Sequence, residues 1–192
     1  MGEILDRQQV PARHRLDVEA YYRMAEAGIL TQNDRVELIG GEVFDMTPIG
    51  SAHAGKTNRL NHLFARAAAD GLVLVSMQSP LRLDAYNEPE PDVMLLKPRA
   101  DDYQGRHPGA ADVLLLVEVS DTSLAYDRGM KLALYAKSGV PEVWIVDLRG
   151  AAIEVYREPV GDAYAVAERL TLGSLAPVLV PGVAIDVGAL LA

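Results

Sequence analysis

The sequence contains no cysteine, which excludes disulfides, zinc-thiolate centres and cysteine nucleophiles and leaves a reducing compartment open to it. It also lacks any apolar stretch long enough to span a bilayer, so no membrane association is expected. The opening residues, MGEILDRQQVPARHR, carry charge throughout and have no apolar core. A signal peptide is therefore not expected, and the cytoplasm is the expected compartment. Positive charge is scarce: 18 Lys and Arg face 27 Asp and Glu, and the resulting net charge of −9 argues against a general nucleic-acid binder, whose phosphate contacts need a basic footprint. One cleft can still gather cations, and a bound divalent metal adds positive charge that the count omits. Gly105, Gly109 and the Gly40-Gly41 pair do not form a phosphate-cradling loop. Ser51, Ser120 and Ser123 lack the Gly-x-Ser-x-Gly elbow of a serine hydrolase, and His14, His62 and His107 lack zinc-ligand spacing.

What is present reads as a polar leader over residues 1–15 and a single domain over 16–192. LDVEAYYRMAEAGIL has helical apolar spacing and stops at Gly28. RVELIGGEVFDM predicts two short strands around Gly40-Gly41. SAHAGKTNRLNHLFARAAADG predicts a core-packing helix with Leu60, Leu63, Phe64 and Ala67 on one side. Strands are then expected at LVLVSM, SPLRLDA, PDVMLLK and ADVLLLVEVS, whose Val and Leu runs imply cover on both faces. TSLAYDRGMKLALYAKSG predicts a helix capped by Thr122 or Ser123, and the strand EVWIVDL follows, giving a β-α-β unit. A further hairpin, AAIEVYREP with AYAVAERL, leads to a Val-rich extended tail. The expected fold class is α/β, with one mixed central sheet flanked by helices.

Within that frame, Asp92 stands at the entry to a buried strand and Glu118 at the end of another. A carboxylate that close to a core costs several kcal/mol, order of magnitude, unless it is paired or bound to metal. If adjacent strands turn both side chains to the same face, they offer oxygen ligands for Mg²⁺ with positions left for water and phosphate. Asp92 could equally be a strand-entry turn residue after Pro91. Lys131 lies on the next helix, where Asp127, Lys131 and Tyr135 recur every four residues. A surface Asp–Lys pair accounts for the first two, but an ammonium so close to a metal carboxylate could also orient water and stabilise phosphorane charge. Glu37, between Val36 and Leu38, fits either a solvent-facing strand position or a third acid, and His53 could contact a phosphate or a carboxylate or equally be a capping or surface histidine.

The blocks ELIGGEVFDM, PEPDVMLL and above all LLLVEVSDTSLAYDRGMKLALYAKSGVPEVWIVDL resemble the Uma-two-type restriction-endonuclease family of the PD-(D/E)XK nuclease superfamily. The resemblance implies a restriction-endonuclease-like core, with Asp92 and Glu118 as metal ligands and Glu37 as the early acid that completes the site. The superfamily lysine belongs two residues beyond Glu118, where this chain has Ser120. The resemblance implies that Lys131 takes over from the helix, with Tyr135 one turn later. The expected activity is Mg²⁺-dependent hydrolysis of DNA phosphodiesters, with Mn²⁺ as a substitute metal. The alternatives are a catalytically inactive binding or assembly module and a small-molecule phosphodiesterase. A homodimer is also expected, because two-fold related sites suit a duplex and VLVPGVAIDVGALLA is an apolar segment to cover.

Overall fold

The computed structural model describes residues 12–31, 33–180 and 182–192. Most of the polar leader, residues 1–11, lies outside them. Helix α1, Val18–Glu26, begins at Asp17, whose carboxylate caps the Ala20 N–H at 2.7 Å. Strands β1, Val36–Ile39, and β2, Glu42–Asp45, pair antiparallel with Ile39 opposite Glu42. Gly40 and Gly41 between them both have positive φ, as a two-residue turn of the primed type needs. At Gly41 a Cβ would also meet Arg15 Cβ at 2.7 Å, so no other residue fits beneath the leader. Helix α2, Ser51–Ala69, follows.

The main sheet is assembled from β3, Leu74–Met77; β4, Val93–Leu96; β5, Val113–Ser120; β6, Glu142–Asp147; β7, Ala152–Val160; and β8, Ala163–Leu170. They lie in the order β3-β4-β5-β6-β7-β8, and every neighbouring pair is antiparallel except β5 and β6. The single parallel pair is the one joined by a helical crossover, as the β-α-β reading requires. That crossover is α3, Leu124–Tyr126, a π-helical turn over Asp127–Lys131, and α4, Leu132–Lys137. Two short strands, β9, Ser174–Leu175, and β10, Ile185–Asp186, pair with each other before α5, Val187–Leu191.

Side-chain alternation divides the core. Val93, Leu95, Leu115 and Val117 face α2 and the C-terminal segment, together with Leu60, Phe64 and Trp144. Met94, Leu96 and Leu116 face the crossover, where Tyr135 packs. Asp92 and Glu118 continue the second of these two sets, two residues before Met94 and two after Leu116. The expectation of strands covered on both faces holds for β4, which is buried throughout, and for β5 apart from half-buried Leu114, and fails for β3, which is half-buried at all four positions.

Three expectations need correction. SPLRLDA is not a strand: the Leu81 N–H donates to the Pro89 carbonyl at 2.9 Å and the Leu83 N–H to Asn87, so this segment folds back on the chain that leads to β4. The crossover is not one regular α-helix, since the Leu132 N–H reaches the carbonyl of Asp127, five residues back. The C-terminal run is not simply extended. Val180, Ile185, Val187 and Leu190 enter the core and, of the large apolar side chains described in this run, Val178 and Leu179 remain exposed, so most of the apolar surface that suggested a homodimer is covered by the chain itself. Among the described residues no helix is long and apolar enough to cross a membrane.

Candidate active site

The register between β4 and β5 sets the site. Val93 pairs with Val117, which places Asp92 opposite Glu118 across an antiparallel ladder and on the same face. Both are buried, at 8% and 3% exposure. Asp92 is fixed by several groups. The Val119 N–H donates to its Oδ2 at 2.8 Å, His53 Nε2 lies 3.0 Å from the same oxygen, and the Gln78 side-chain amide reaches Oδ1 at 3.4 Å. Gln78 also donates its backbone N–H to the Asp92 carbonyl and adopts φ of 44°, a left-handed conformation that non-glycine residues seldom hold without a tertiary reason. His53 sits in the first turn of α2, with Nδ1 sealed away from any partner. Its Nε2 therefore carries the proton toward Asp92, and that hydrogen bond raises the imidazole pKa against the opposing effect of burial.

Glu118 has two unlike oxygens. Oε1 lies 2.8 Å from Lys131 Nζ and accepts from the Tyr135 hydroxyl at 2.6 Å. Oε2 takes part in neither contact and faces a cleft. Burial pushes the Glu118 carboxyl up to about 8, with Lys131 pulling the other way and the charges of Asp127 and Asp92 adding to the rise. Lys131, 4% exposed, also lies 3.3 Å from Glu37 Oε2. Burial works against its ammonium, but Glu118 and Glu37 outweigh that and hold its pKa above the ordinary value. The ammonium stays protonated at neutral pH and can donate, but it cannot act as a base. Glu37 is 4% exposed and receives the Glu90 N–H at 3.1 Å and the Tyr126 hydroxyl at 3.1 Å, so the solvent-facing alternative for this residue is overturned.

The surface pair of Asp127 with Lys131 is overturned as well. Both are buried, and Asp127 instead accepts from the Ser120 hydroxyl at 2.7 Å and the Ser123 hydroxyl at 2.6 Å. Ser120, at the position of the absent superfamily lysine, thus points its hydroxyl at Asp127 rather than carrying a charge of its own. All the candidate residues named from the sequence come together: Glu37, His53, Asp92, Glu118 and Lys131 line one cleft, while Tyr135 and Ser120 lie directly behind it. Sequence reasoning missed Asp127, Glu90, Arg35 and Tyr126, which line the same cleft, and Gln78 beside it. Burial, and then Glu37, raise the pKa of Glu90.

Among the described residues no three His, Asp or Glu side chains converge closely enough to enclose a metal ion. The Asp92–Glu118 pair nevertheless fits one kind of cation. Mg²⁺ binds through one or two carboxylates and keeps several waters, so two opposed oxygen donors at an open cleft suit it better than a full protein cage would. The like charges that raise Glu118 are what a cation there would relieve.

A family model named Uma2 and described as "Putative restriction endonuclease" matches residues 18–188. A crystal structure described as a "putative nuclease belonging to DUF820", from Anabaena variabilis ATCC 29413, superposes with a TM-score of 0.69. The superposition covers 92% of this chain and 97% of the other at 11% identity, which is a likeness of fold. Comparison with curated proteins gives no match.

Proposed function

The chain belongs to the Uma2 family, and from that premise we propose that it is a divalent-metal-dependent endonuclease of the cytoplasm that hydrolyses DNA phosphodiester bonds. Asp92 and Glu118 would hold the metal, Mg²⁺ or in its place Mn²⁺. Once bound, the cation supplies Lewis-acid polarisation of a phosphoryl oxygen. The observation that carries this reading is the buried ammonium of Lys131, held between Glu118 and Glu37 at the cleft. An ammonium has three N–H groups, one more than its two carboxylate contacts, so it can also donate to a phosphoryl oxygen or to the attacking water. Tyr135 fixes Glu118 from behind, His53 fixes Asp92, and Glu37 keeps Lys131 in place. A homodimer would present two such sites to the two strands of a duplex.

A second reading rests on the charge of the cleft. Its lining contains seven Asp and Glu residues against one arginine, one lysine and one histidine. That balance suits a metal-binding or assembly module that keeps the fold without turning over DNA. Incubation with supercoiled plasmid and short duplexes separates the two. The nuclease gives Mg²⁺- or Mn²⁺-dependent nicking that EDTA abolishes, and Lys131→Ala lowers turnover by roughly 10² to 10³ while metal affinity is kept. Calorimetric metal binding without cleavage of plasmid, duplex or single strand would establish the module instead. Turnover of small phosphorylated compounds without nicking would mark a small-molecule phosphodiesterase.

A further inference from the structure

The nuclease reading so far assigns no group to take the proton of the attacking water, and one buried acid at the cleft has no task in it. Asp127 begins the π-helical turn, is 5% exposed, and lines the cleft. Both of its hydrogen bonds arrive at Oδ2, from Ser120 on β5 and from Ser123 just before α3. Oδ1 receives neither of them, nor is it sealed in protein without a partner. The other buried acids of this face differ. Asp147 accepts the Gly150 N–H, and Glu154 is bonded by Arg128 and Tyr156. Those are saturated by donors that belong to the fold, whereas the serine hydroxyls hold Asp127 by one oxygen and present the other.

Resting on the nuclease reading, we propose that Asp127 is a further catalytic residue, the carboxylate that accepts the proton of the attacking water. The water oxygen forms the new bond to phosphorus and the bond from phosphorus to the leaving sugar oxygen breaks. The water proton passes to Asp127 Oδ1, and the departing alkoxide takes a proton from solvent. Asp127 thereby fills the place that Ser120 leaves vacant: the hydroxyl at the superfamily lysine position aims an acid at the cleft. The charged and titratable groups facing Asp127 are Lys131 on its own helical segment, Glu118 on β5, Asp92 before β4, His53 on α2 and Tyr126 on α3. Burial raises the Asp127 carboxyl above its usual value, while Lys131 and the two serine hydroxyls hold it down, and a base gains strength from that rise.

The test uses the full chain and plasmid cleavage across pH, with Mn²⁺ affinity measured by calorimetry. Asp127→Asn should lose about 10² to 10⁴ in cleavage, the usual contribution of a positioned base, and keep its Mn²⁺ affinity. The wild-type rate should rise with pH along an acid limb that Asp127→Asn lacks. Ser120→Ala and Ser123→Ala each remove a hydrogen bond to the charged carboxylate, so in both variants the limb should move to higher pH. A purely structural clasp would lower stability and leave the limb in place. If the wild type cleaves and Asp127→Asn cleaves equally well, or keeps the limb, Asp127 is not the base. If Asp127→Asn instead loses Mn²⁺ affinity, the residue is a metal ligand and the proposal fails. Should Asp127→Asn not fold, an unmoved limb in both serine variants overturns the proposal. A wild-type chain that binds Mn²⁺ and cleaves nothing overturns the nuclease reading and this proposal together.

Discussion

Two glutamates on adjacent strands are almost equally buried, and they are put to opposite uses. Glu142 opens β6 at 1% exposure. Its Oε1 accepts from Trp144 Nε1 at 2.7 Å and Arg157 Nε at 2.9 Å, and its Oε2 accepts the Val178 N–H at 2.7 Å. Both oxygens are satisfied, and the partners come from β6, β7 and the C-terminal segment. Glu118 near the end of β5 has a lysine and a tyrosine on one oxygen and turns the other to a cleft shared with further acids. Burial of an acid is therefore not the mark of a site. The mark is a buried acid left with spare coordination among like charges, because a fold that only needs a buried carboxylate pairs it completely.

The most severe test of this contrast is to neutralise each glutamate in turn. Glu118→Gln should abolish metal binding and bring DNA cleavage down to background, as should Asp92→Asn. Glu142→Ala should leave the cleavage rate per folded molecule unchanged. Its cost falls on stability, about 3 kcal/mol, because Arg157 and Trp144 Nε1 lose a buried partner. Denaturant melts and plasmid nicking on the same preparations decide it. A Glu142 variant that is stable but inactive would erase the distinction.

The strand pattern singled out Asp92 and Glu118 as candidates, since VLLLVEVS places an acid in a run that has no other reason to hold one and Asp92 enters a buried-looking strand. Helix α2, the first hairpin and the β-α-β unit were readable for the same reason: each rests on local periodicity with a Gly stop or turn, and each is found where expected, although Leu63, expected on the core side of α2, is exposed. Asp127 was hidden because its spacing from Lys131 imitates a surface ion pair. The available signal was the pair of serines, four and seven residues before it, positioned to bond an acid entering the helix. SPLRLDA was misread because Leu81 and Leu83 alternate as in a strand. The ladder that alternation calls for cannot form beside Pro89 and Pro91, which supply no N–H. Glu37 could not be assigned from alternation in β1, because that strand is buried at all four positions.

Acidity offers a gentler way to separate the two regions. In metal-free protein the folded Glu118 carboxyl is raised from 4.5 to about 8 by burial. A raised pKa contributes stability that is complete below the unfolded value and is lost as pH climbs through the folded one. Replacing Glu118 by Gln removes that loss, so the stability of Glu118→Gln relative to wild type should improve between about pH 4.5 and pH 8, by at most roughly 1.4 kcal/mol per pH unit and a few kcal/mol in all. Melting in EDTA across that window measures it. Parallel curves for the two proteins would mean that Glu118 is as well compensated as the comparison claims for Glu142.

The smallest effect expected is at Tyr135, whose hydroxyl touches the site without facing the cleft. It is fully buried in the apolar cluster beneath the crossover, and it donates to Glu118 Oε1 at 2.6 Å. Tyr135→Phe keeps the ring and its packing and removes only that donor. The change should cost about 1.5–3 kcal/mol, the range for a hydrogen bond to a charged group. Lys131 still holds Oε1, so the carboxylate keeps its direction and cleavage should fall by less than about tenfold, well short of the loss expected for a donor lost at the reacting phosphate. Glu118 also loses a bond that favours its charged form, so Mn²⁺ affinity should need a higher pH to reach its wild-type level. A loss of cleavage as large as that of Lys131→Ala would move Tyr135 from the support of the site into its chemistry. A stability change with no shift in the pH dependence of metal binding would place it wholly in the core.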